Sequence, residues 1–379
     1  MSMRNKGRKI KRYKGSFDTR SFRRRRIIRW VVILLVLFAA SYFLAPPILD
    51  AGSRLWYSVI RGQDIDGDQS QSQSQPLPAS DSQSAVEVTP SPEPTPEPTE
   101  KGDWRQVSLG ELATPEQAAQ TASQLASEGV KYAVVTLKDS TGTVAYASQV
   151  PAAAGGISAS PIDAAAAAKA LSDAGITPVA CLWGYQDPIA ARTDRTMAVS
   201  YGAEEGVLWL DNAADAGGNP WLNPYSEAAN QYLEDLALEA VSMGYEQVVF
   251  CGFHFPLVNS LSSASFGETG GKGQAQILSE NIQRLEQALA AKDAECWFQY
   301  SAAAVLGEDL RPAGVAVSGL GMERLVVQLP ADTADPAATL AACAQAVPDT
   351  QLVYRVSAAP DEALRQAADQ AGYLGAVIG

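Results

Sequence analysis

The 379-residue chain contains only one histidine, His254, and it lacks any Gly-x-Ser-x-Gly segment. The missing segment excludes the nucleophile elbow of a serine hydrolase. The single imidazole leaves two cysteine-based alternatives open: a Cys251–His254 catalytic pair, and a zinc site formed by Cys181, Cys251 and His254. The catalytic pair requires a bent strand, because strand residues three apart point to opposite faces. We expect neither a metal nor a cofactor.

Charge is missing from residues 30–49, WVVILLVLFAASYFLAPPIL, a run long enough to cross a bilayer as a helix. Residues 1–29 hold thirteen lysines and arginines against one acid, Asp18. The positive-inside rule therefore predicts a single-pass membrane anchor at 30–49, with a cytoplasmic basic segment at 1–29 and an extracytoplasmic remainder. A cleaved signal peptide, with a weak site at Ala39-Ala40-Ser41, is the alternative. We expect the basic segment to contact anionic lipid and not nucleic acid.

Residues 62–103 have little that could form a hydrophobic core, and we assign residues 50–103 as a whole to a linker. They contain GDQSQSQSQPLPASDSQS, which is polar and low in complexity, and TPSPEPTPEPTEKG, in which proline alternates with small or acidic residues. Such compositions favour extended, unpacked chain. We predict a disordered linker that holds a domain off the membrane.

Residues 104–379 alternate short apolar runs with longer Ala/Leu-rich stretches, which predicts a parallel sheet with helical crossovers. Eight candidate strands and this length favour a (β/α)8 barrel. The predicted strands are Gln106–Leu109, Tyr132–Leu137, Pro178–Trp183, Gln247–Phe253, Cys296–Tyr300, Leu325–Leu329, Leu352–Val356 and Gly375–Ile378. Helices are predicted near 114–128, 161–174, 225–243, 274–292, 334–345 and 360–371. Segments 187–224 and 254–273 are long for connections, and long loops at this face usually build the site.

All four cysteines fall in the predicted barrel, at positions 181, 251, 296 and 343. A domain of this size does not need disulfide staples, and three of the cysteines lie within apolar strands. We therefore expect buried free thiols. A Cys181–Cys251 disulfide is the alternative.

Aromatic residues concentrate near the predicted strand ends. Their flat apolar rings with polar edges suit the faces of sugars. Loop acids near the same face are Asp139, Asp187, Asp211 and Glu268. Glycoside hydrolysis requires two carboxyl groups roughly 5–5.5 Å or 6.5–9.5 Å apart. The aromatic set comprises Trp183, Tyr185, Trp209, Trp221, Tyr225 and Phe253.

Three segments, in order and at characteristic spacing, resemble a bacterial family of putative glycoside hydrolases with an uncharacterised domain. They are VVTLKDSTGTVAYAS (134–148), PVACLWGYQDPIAA (178–191) and WLNPYSEAANQYLEDLALEAVSMGYEQVVFCGFHFP (221–256). The resemblance implies a (β/α)8 fold and action on polysaccharide. It weakens after residue 256. Positions that match the family pattern are Lys138, Asp139, Gly142, Tyr146, Asp187, Pro188, Trp221, Asn223, Pro224, Tyr225, Phe255 and Pro256.

The departures from that pattern are concentrated at strand ends. The resemblance implies Asp where this chain has Thr136, Cys251 and Ala304, and Arg where it has Cys181 and His254. The missing Asp at 251 is the natural candidate nucleophile of the family. Losing it alone would strand a neighbouring buried Arg, which is unfavourable, whereas two cysteines remove both charges. We therefore interpret Cys181 and Cys251 as a neutralised pair.

These departures predict a glycosidase-like barrel that binds cell-envelope polysaccharide and has lost its hydrolase activity. Two alternatives stay open: an active glycoside hydrolase that uses other carboxylates, and an envelope scaffold that binds proteins. The catalytic candidates for the active alternative are Asp139 and Asp187. The substrate-binding candidates are Lys138, Trp183, Tyr185, Trp221, Asn223, Tyr225 and His254.

Overall fold

The computed structural model describes residues 99–202, 206–258 and 260–379. Its strands, in chain order, are β1 (Trp104–Val107), β2 (Tyr132–Lys138), β3 (Val144–Tyr146), β4 (Ile157–Ile162), β5 (Thr177–Trp183), β6 (Ser200–Tyr201), β7 (Gln247–Cys251), β8 (Ala264–Ser265), β9 (Glu295–Ser301), β10 (Arg324–Gln328), β11 (Gln351–Val356) and β12 (Tyr373–Ile378). Eight of them pair in the parallel order β1-β2-β5-β7-β9-β10-β11-β12, and β12 returns to β1. The predicted (β/α)8 barrel is confirmed, and all eight predicted strands are present.

Helices cover the outside of the barrel and begin at residues that cap them. The helices are α1 (Pro115–Ser127), α2 (Ala164–Asp173), α3 (Pro188–Thr193), α4 (Glu227–Ser242), α5 (Gln274–Ala290), α6 (Ala302–Val305), α7 (Pro336–Ala346) and α8 (Glu362–Gln370). The side chains of Thr114, Asp163 and Ser226 each accept a hydrogen bond from a backbone N–H of the first turn. Such caps satisfy donors that have no partner within the helix. The six predicted helices are present. The short α3 and α6 are additional.

Aromatic rings fill the barrel interior at the N-terminal ends of the strands. Trp104 stacks on Tyr132 at 4.5 Å between ring centroids and meets Trp297 edge-on at 5.4 Å. Above them lie β-branched residues from neighbouring strands, which pack well on a pleated surface. These residues are Val134, Val179, Val249, Val326, Val353 and Val377. The interior is therefore a packed core and not a pore.

Residues 99–103, which the sequence assigns to the linker, close the lower end of the barrel. The Thr99 hydroxyl donates to Glu295, and Gln247 Nε2 donates to Thr99 at 3.3 Å. The Tyr132 hydroxyl donates to the carbonyl of Glu100 at 2.9 Å. The chain thus enters the domain at the N-terminal ends of the strands, on the face opposite the strand-end loops.

Two long connections, after β5 and after β7, meet above the C-terminal ends of the strands. β6 pairs with β8 in antiparallel fashion, and Trp209 Nε1 donates to the Ser263 hydroxyl at 3.1 Å. Asn223 Nδ2 donates to the carbonyl of Phe266 at 3.0 Å. The two segments predicted to build the site therefore form one joined wall.

The predicted basic segment, anchor and most of the linker lie outside the described residues. Within the part of the chain that the structure describes, no helix has the length and apolar character needed to cross a bilayer.

Candidate functional site

The inward-facing side chains at the C-terminal end of the barrel form a polar layer. Gln106 Nε2 donates to the Thr136 hydroxyl at 2.9 Å, Gln299 Nε2 donates to Gln328 Oε1 at 3.3 Å, and Arg355 Nη1 donates to Gln299 Oε1 at 3.3 Å. Active sites of this fold are built at this end from residues at the ends of several strands. Among these described strand-end positions there is no carboxylate to act as acid, base or nucleophile.

Two thiols occupy the part of this layer contributed by β5 and β7. Cys181 Sγ and Cys251 Sγ lie 3.3 Å apart, and both residues are buried. A disulfide would bring the sulfurs to about 2.05 Å, so these are free thiols in contact. The hydrogen bond to Cys181, together with burial, raises the pKa of Cys251 well above its usual range. The expectation of buried free cysteines is confirmed for all four.

A cleft of about 570 Å³ opens above this layer, between the ends of β5, β7, β9 and β10 and the joined loop wall. Aromatic and imidazole rings line it at Trp183, Trp221, His254 and Tyr300. Side-chain amides line it at Gln186, Asn212, Asn219, Gln299 and Gln328. The cleft therefore combines flat apolar surfaces with many neutral hydrogen-bonding groups.

The ring surfaces are held in place by the turn that follows β7. Gly252 has a φ of 60°, and a Cβ there would lie 2.8 Å from Trp183 Cε3. Only glycine adopts this backbone readily and leaves room for the indole. His254 follows, with its ring 5.8 Å from that of Trp221 and 6.4 Å from that of Tyr300. The turn thus places the His254 ring in the same cleft as Trp183 from β5 and Tyr300 from β9.

The protonation of His254 follows from its contacts. Nδ1 lies 2.8 Å from the carbonyl oxygen of Phe255, and a carbonyl only accepts, so Nδ1 carries the proton. Burial lowers the pKa of His254 below its usual value, which keeps the ring neutral at pH 7. Nε2 is then an acceptor that can take a hydrogen bond from a hydroxyl group of a ligand.

Two carboxylates, Asp211 and Asp309, line the cleft, and both already have partners. Asp211 accepts from Trp221 Nε1 at 2.9 Å and from the backbone N–H of Asn219 at 2.7 Å. Asp309 accepts from Arg311 Nε at 2.9 Å and Nη2 at 2.8 Å. The hydrogen bonds from Arg311 lower the pKa of Asp309. A general acid for glycoside hydrolysis needs a raised pKa, so Asp309 is poorly suited to that role.

Asp187 and Lys138, two residues predicted for the site, form a fully buried ion pair away from the cleft. Lys138 Nζ lies 2.9 Å from Asp187 Oδ2, and both side chains have 0% exposure. The Tyr232 hydroxyl donates to the same oxygen at 3.0 Å, and Asp187 Oδ1 caps α3 by accepting from the N–H of Ala190 at 2.8 Å. A Cβ at Gly142, whose φ is 85°, would collide with Asp187 Oδ1. Asp187, expected as a loop acid, instead ties β2 to α3.

The remaining predicted residues divide between the cleft and the surrounding framework. Trp183, Trp221 and His254 line the cleft. Tyr185 is fully buried and donates to Asn230, whereas Asn223 and Tyr225 bond to backbone carbonyls of the loop wall. Asp139 Oδ1 organises a turn by accepting from the N–H groups of Thr141 and Thr143. The catalytic roles of Asp139 and Asp187 stay predictions.

Several cleft residues were not among the sequence candidates. Gln299 and Gln328 stand two positions after the inward-facing Trp297 and Val326, at the ends of β9 and β10. That spacing places them on the same face and is a signal the sequence does contain. Asp309 follows α6 in an irregular loop, where periodicity gives no such signal.

Within the described residues, no group of three or more His, Cys, Asp or Glu side chains is arranged to hold a metal ion.

Residues 107–304 match the model of a family described as a putative glycosyl hydrolase domain. The chain belongs to this family. The matched residues run from the end of β1 through α6, and they contain both cysteines of the polar layer and most of the loop wall. No curated protein matches the chain.

The chain is similar to solved structures that include the following three proteins from different organisms. A hypothetical protein from Ruminiclostridium thermocellum is 24% identical over 51% of this chain and 95% of its own, with a TM-score of 0.44. An exo-β-N-acetylglucosaminidase from Vibrio harveyi, complexed with N-acetylglucosamine, is 10% identical over 68% of this chain, with a TM-score of 0.47. This chain spans 42% of that enzyme. Ega3 from Aspergillus fumigatus, complexed with galactosamine, is 10% identical over 74% of this chain and 92% of its own, with a TM-score of 0.41.

Proposed function

We propose that this protein is a membrane-anchored glycan-binding barrel of the cell envelope that has lost the hydrolase activity implied by the description of its family. The observation that carries the proposal is the composition of the cleft. Ring surfaces, amides and two carboxylates that already have partners line it, while the strand ends beneath it carry thiols and amides where the family resemblance implies acids.

Glycan binding is supported by the chemistry of the cleft walls. Sugar rings expose C–H faces that pack on aromatic rings, and their hydroxyl groups need donors and acceptors around the edge. Trp183 supplies a ring that is only partly buried, and His254 Nε2 supplies an acceptor. Asn212, Asn219 and the paired amides of the floor can both donate and accept. This combination fits a neutral, hydroxyl-rich ligand.

Loss of hydrolysis is supported by the state of the ionisable groups. Cys251 stands where the family resemblance implies an Asp, and its raised pKa keeps it a neutral thiol. A neutral thiol cannot stabilise the positive charge that develops on the sugar ring in the transition state. Asp309 is held as a carboxylate by Arg311 and cannot supply the proton for the leaving group at neutral pH.

An active glycoside hydrolase is the second candidate, because Asp211 and Asp309 do line one cleft. In that mechanism the two carboxyl groups would act from opposite sides of the bound glycan. The candidate requires that ligand binding release Asp309 from Arg311, or Asp211 from Trp221.

The envelope location is proposed from the sequence, which predicts an anchor at residues 30–49 followed by a linker that leads to the lower end of the barrel. The cleft opens at the opposite end of the strands from residues 99–103. We propose that this arrangement presents the cleft to extracytoplasmic polysaccharide.

The test is binding of peptidoglycan and of envelope polysaccharide by Trp221→Ala and Trp221→Phe. The Trp221 indole is only 4% exposed, so it supports the cleft wall and holds Asp211 in place, and its loss should weaken binding about tenfold or more. Phe keeps a ring but loses the hydrogen bond to Asp211, so it should retain part of the affinity. Unchanged binding in Trp221→Ala, with the fold intact by circular dichroism, would remove the cleft from the binding site.

A further inference from the structure

A second cavity, the side groove, lies next to the mouth of the barrel between the end of β1 and the β2–β4 extension. It measures about 260 Å³. Leu109 and Gly110 contribute from the loop after β1, and Thr136 and Asp139 contribute from the end of β2. The side groove therefore opens on the same face of the barrel as the cleft.

The lining of the side groove is rich in hydroxyl groups. Thr136, Thr143, Ser158 and Ser160 all contribute to it, against apolar surface from residues such as Leu109 and Ile162. Within the described residues, the Ser160 hydroxyl makes no hydrogen bond. Asp139 accepts through Oδ1 in its turn, and no donor in the described part of the chain bonds to Oδ2. These groups can bond a hydroxyl-bearing ligand.

The side groove and the cleft lie on adjacent strands. Thr136 on β2 is in register with Cys181 on β5, and β5 ends at Trp183 in the cleft wall. Gln106 Nε2 donates to the Thr136 hydroxyl at 2.9 Å and so fixes this side chain in the wall of the side groove. Thr136 therefore stands between the hydroxyl groups of the side groove and the strand that carries Trp183.

We propose that the side groove is a second subsite for the glycan held in the cleft, so that the ligand is a polymer segment lying across the barrel mouth and not a single terminal sugar. The inference rests on the proposed function and adds the extent of the ligand. One sugar stacks in the cleft, the glycan passes over Thr136, and a following sugar bonds to the hydroxyl groups of the side groove.

The experiment compares the affinity of the full-length chain for peptide-free peptidoglycan strands of two and eight sugars. Two further hydrogen bonds correspond to about a tenfold gain, so the eight-sugar strand should bind at least tenfold more tightly. Ser158→Trp should fill the side groove and abolish this gain, with the two-sugar affinity unchanged. Ser123→Trp, an exposed helix position on α1, is the matched control and should keep the gain.

Asp139→Asn provides a second variant, since it keeps the Oδ1 acceptor of the turn and removes the charge at Oδ2. It should lower the affinity for the eight-sugar strand only. Equal affinity of wild type for both lengths, or an unchanged gain in Ser158→Trp, would overturn the second subsite while leaving the proposed function standing. If wild type binds neither strand nor intact polysaccharide, the proposed function fails and the second subsite fails with it.

Discussion

Replacing Asp187 by Asn separates a structural role for this residue from the catalytic role predicted from sequence. The carboxylate is fully buried, 2.9 Å from Lys138 Nζ and 3.0 Å from the Tyr232 hydroxyl. Asn keeps an oxygen for the α3 cap but turns a donor toward Lys138, which is left as an uncompensated buried cation. Breaking one partner of such a pair destabilises a protein by about 3–5 kcal/mol.

For a domain of this size, that loss lowers the unfolding midpoint by roughly 6–20 °C. Thermal unfolding followed by circular dichroism measures the shift. Asp139→Asn is the matched control, and its midpoint should change little because the turn keeps its acceptor. The double variant Lys138→Met/Asp187→Asn should recover part of the loss, since no unpaired charge remains.

Glycan binding measured well below the midpoint should survive in Asp187→Asn, because the residue does not line the cleft. An Asp187→Asn protein that unfolds at the wild-type temperature but loses binding or sugar release would refute this reasoning. That result would give Asp187 the functional role.

Three further predictions test other parts of the account. Burial raises the pKa of Glu286 to about 7, above its unfolded value near 4.5. The folded state therefore binds the proton more tightly, and the free energy of unfolding should fall as pH rises from about 4.5 to 7. Glu286→Gln keeps the acceptor for the N–H of Glu323, so it should remove that decline and be more stable than wild type at pH 8 by about 1–3 kcal/mol, as measured by denaturant unfolding across pH. The four buried cysteines should not react with a thiol reagent in the folded protein and should all react after denaturation, so fast labelling without unfolding would contradict their burial. Gly252→Ala should lower stability by at least about 1 kcal/mol and change the fluorescence of Trp183, because the positive φ and the contact with the indole both exclude a Cβ; an unchanged midpoint and spectrum would show that the turn does not position the ring.

Much of the fold is evident in the sequence because parallel strands buried on both faces leave short apolar runs between amphipathic helices. Val248-Val249-Phe250 and Leu325-Val326-Val327 are such runs, and each is a barrel strand. The short α3 was not predicted because six residues give too little periodicity. Its start does carry a signal, since Asp187 is a cap and proline follows at the first helical position.

The site was harder to predict, because sequence cannot separate a loop acid in a cleft from one in a framework. Asp187 and Asp211 both follow aromatic segments in the same connection, yet one is buried against Lys138 and the other bonds Trp221 in the cleft wall. The difference depends on which groups the folded loops bring within reach. The cysteines were more informative, since their place in apolar strands implied burial before any geometry was known.

The central claim is that the cleft binds glycan and does not cleave it. The most direct test measures binding and release of reducing ends side by side, with the full-length chain on peptidoglycan and envelope polysaccharide. We expect saturable binding that Trp221→Ala weakens, with no release above that of a protein-free control. Release that persists in Cys251→Ala and disappears in Asp211→Asn or Asp309→Asn would contradict it and establish an active hydrolase.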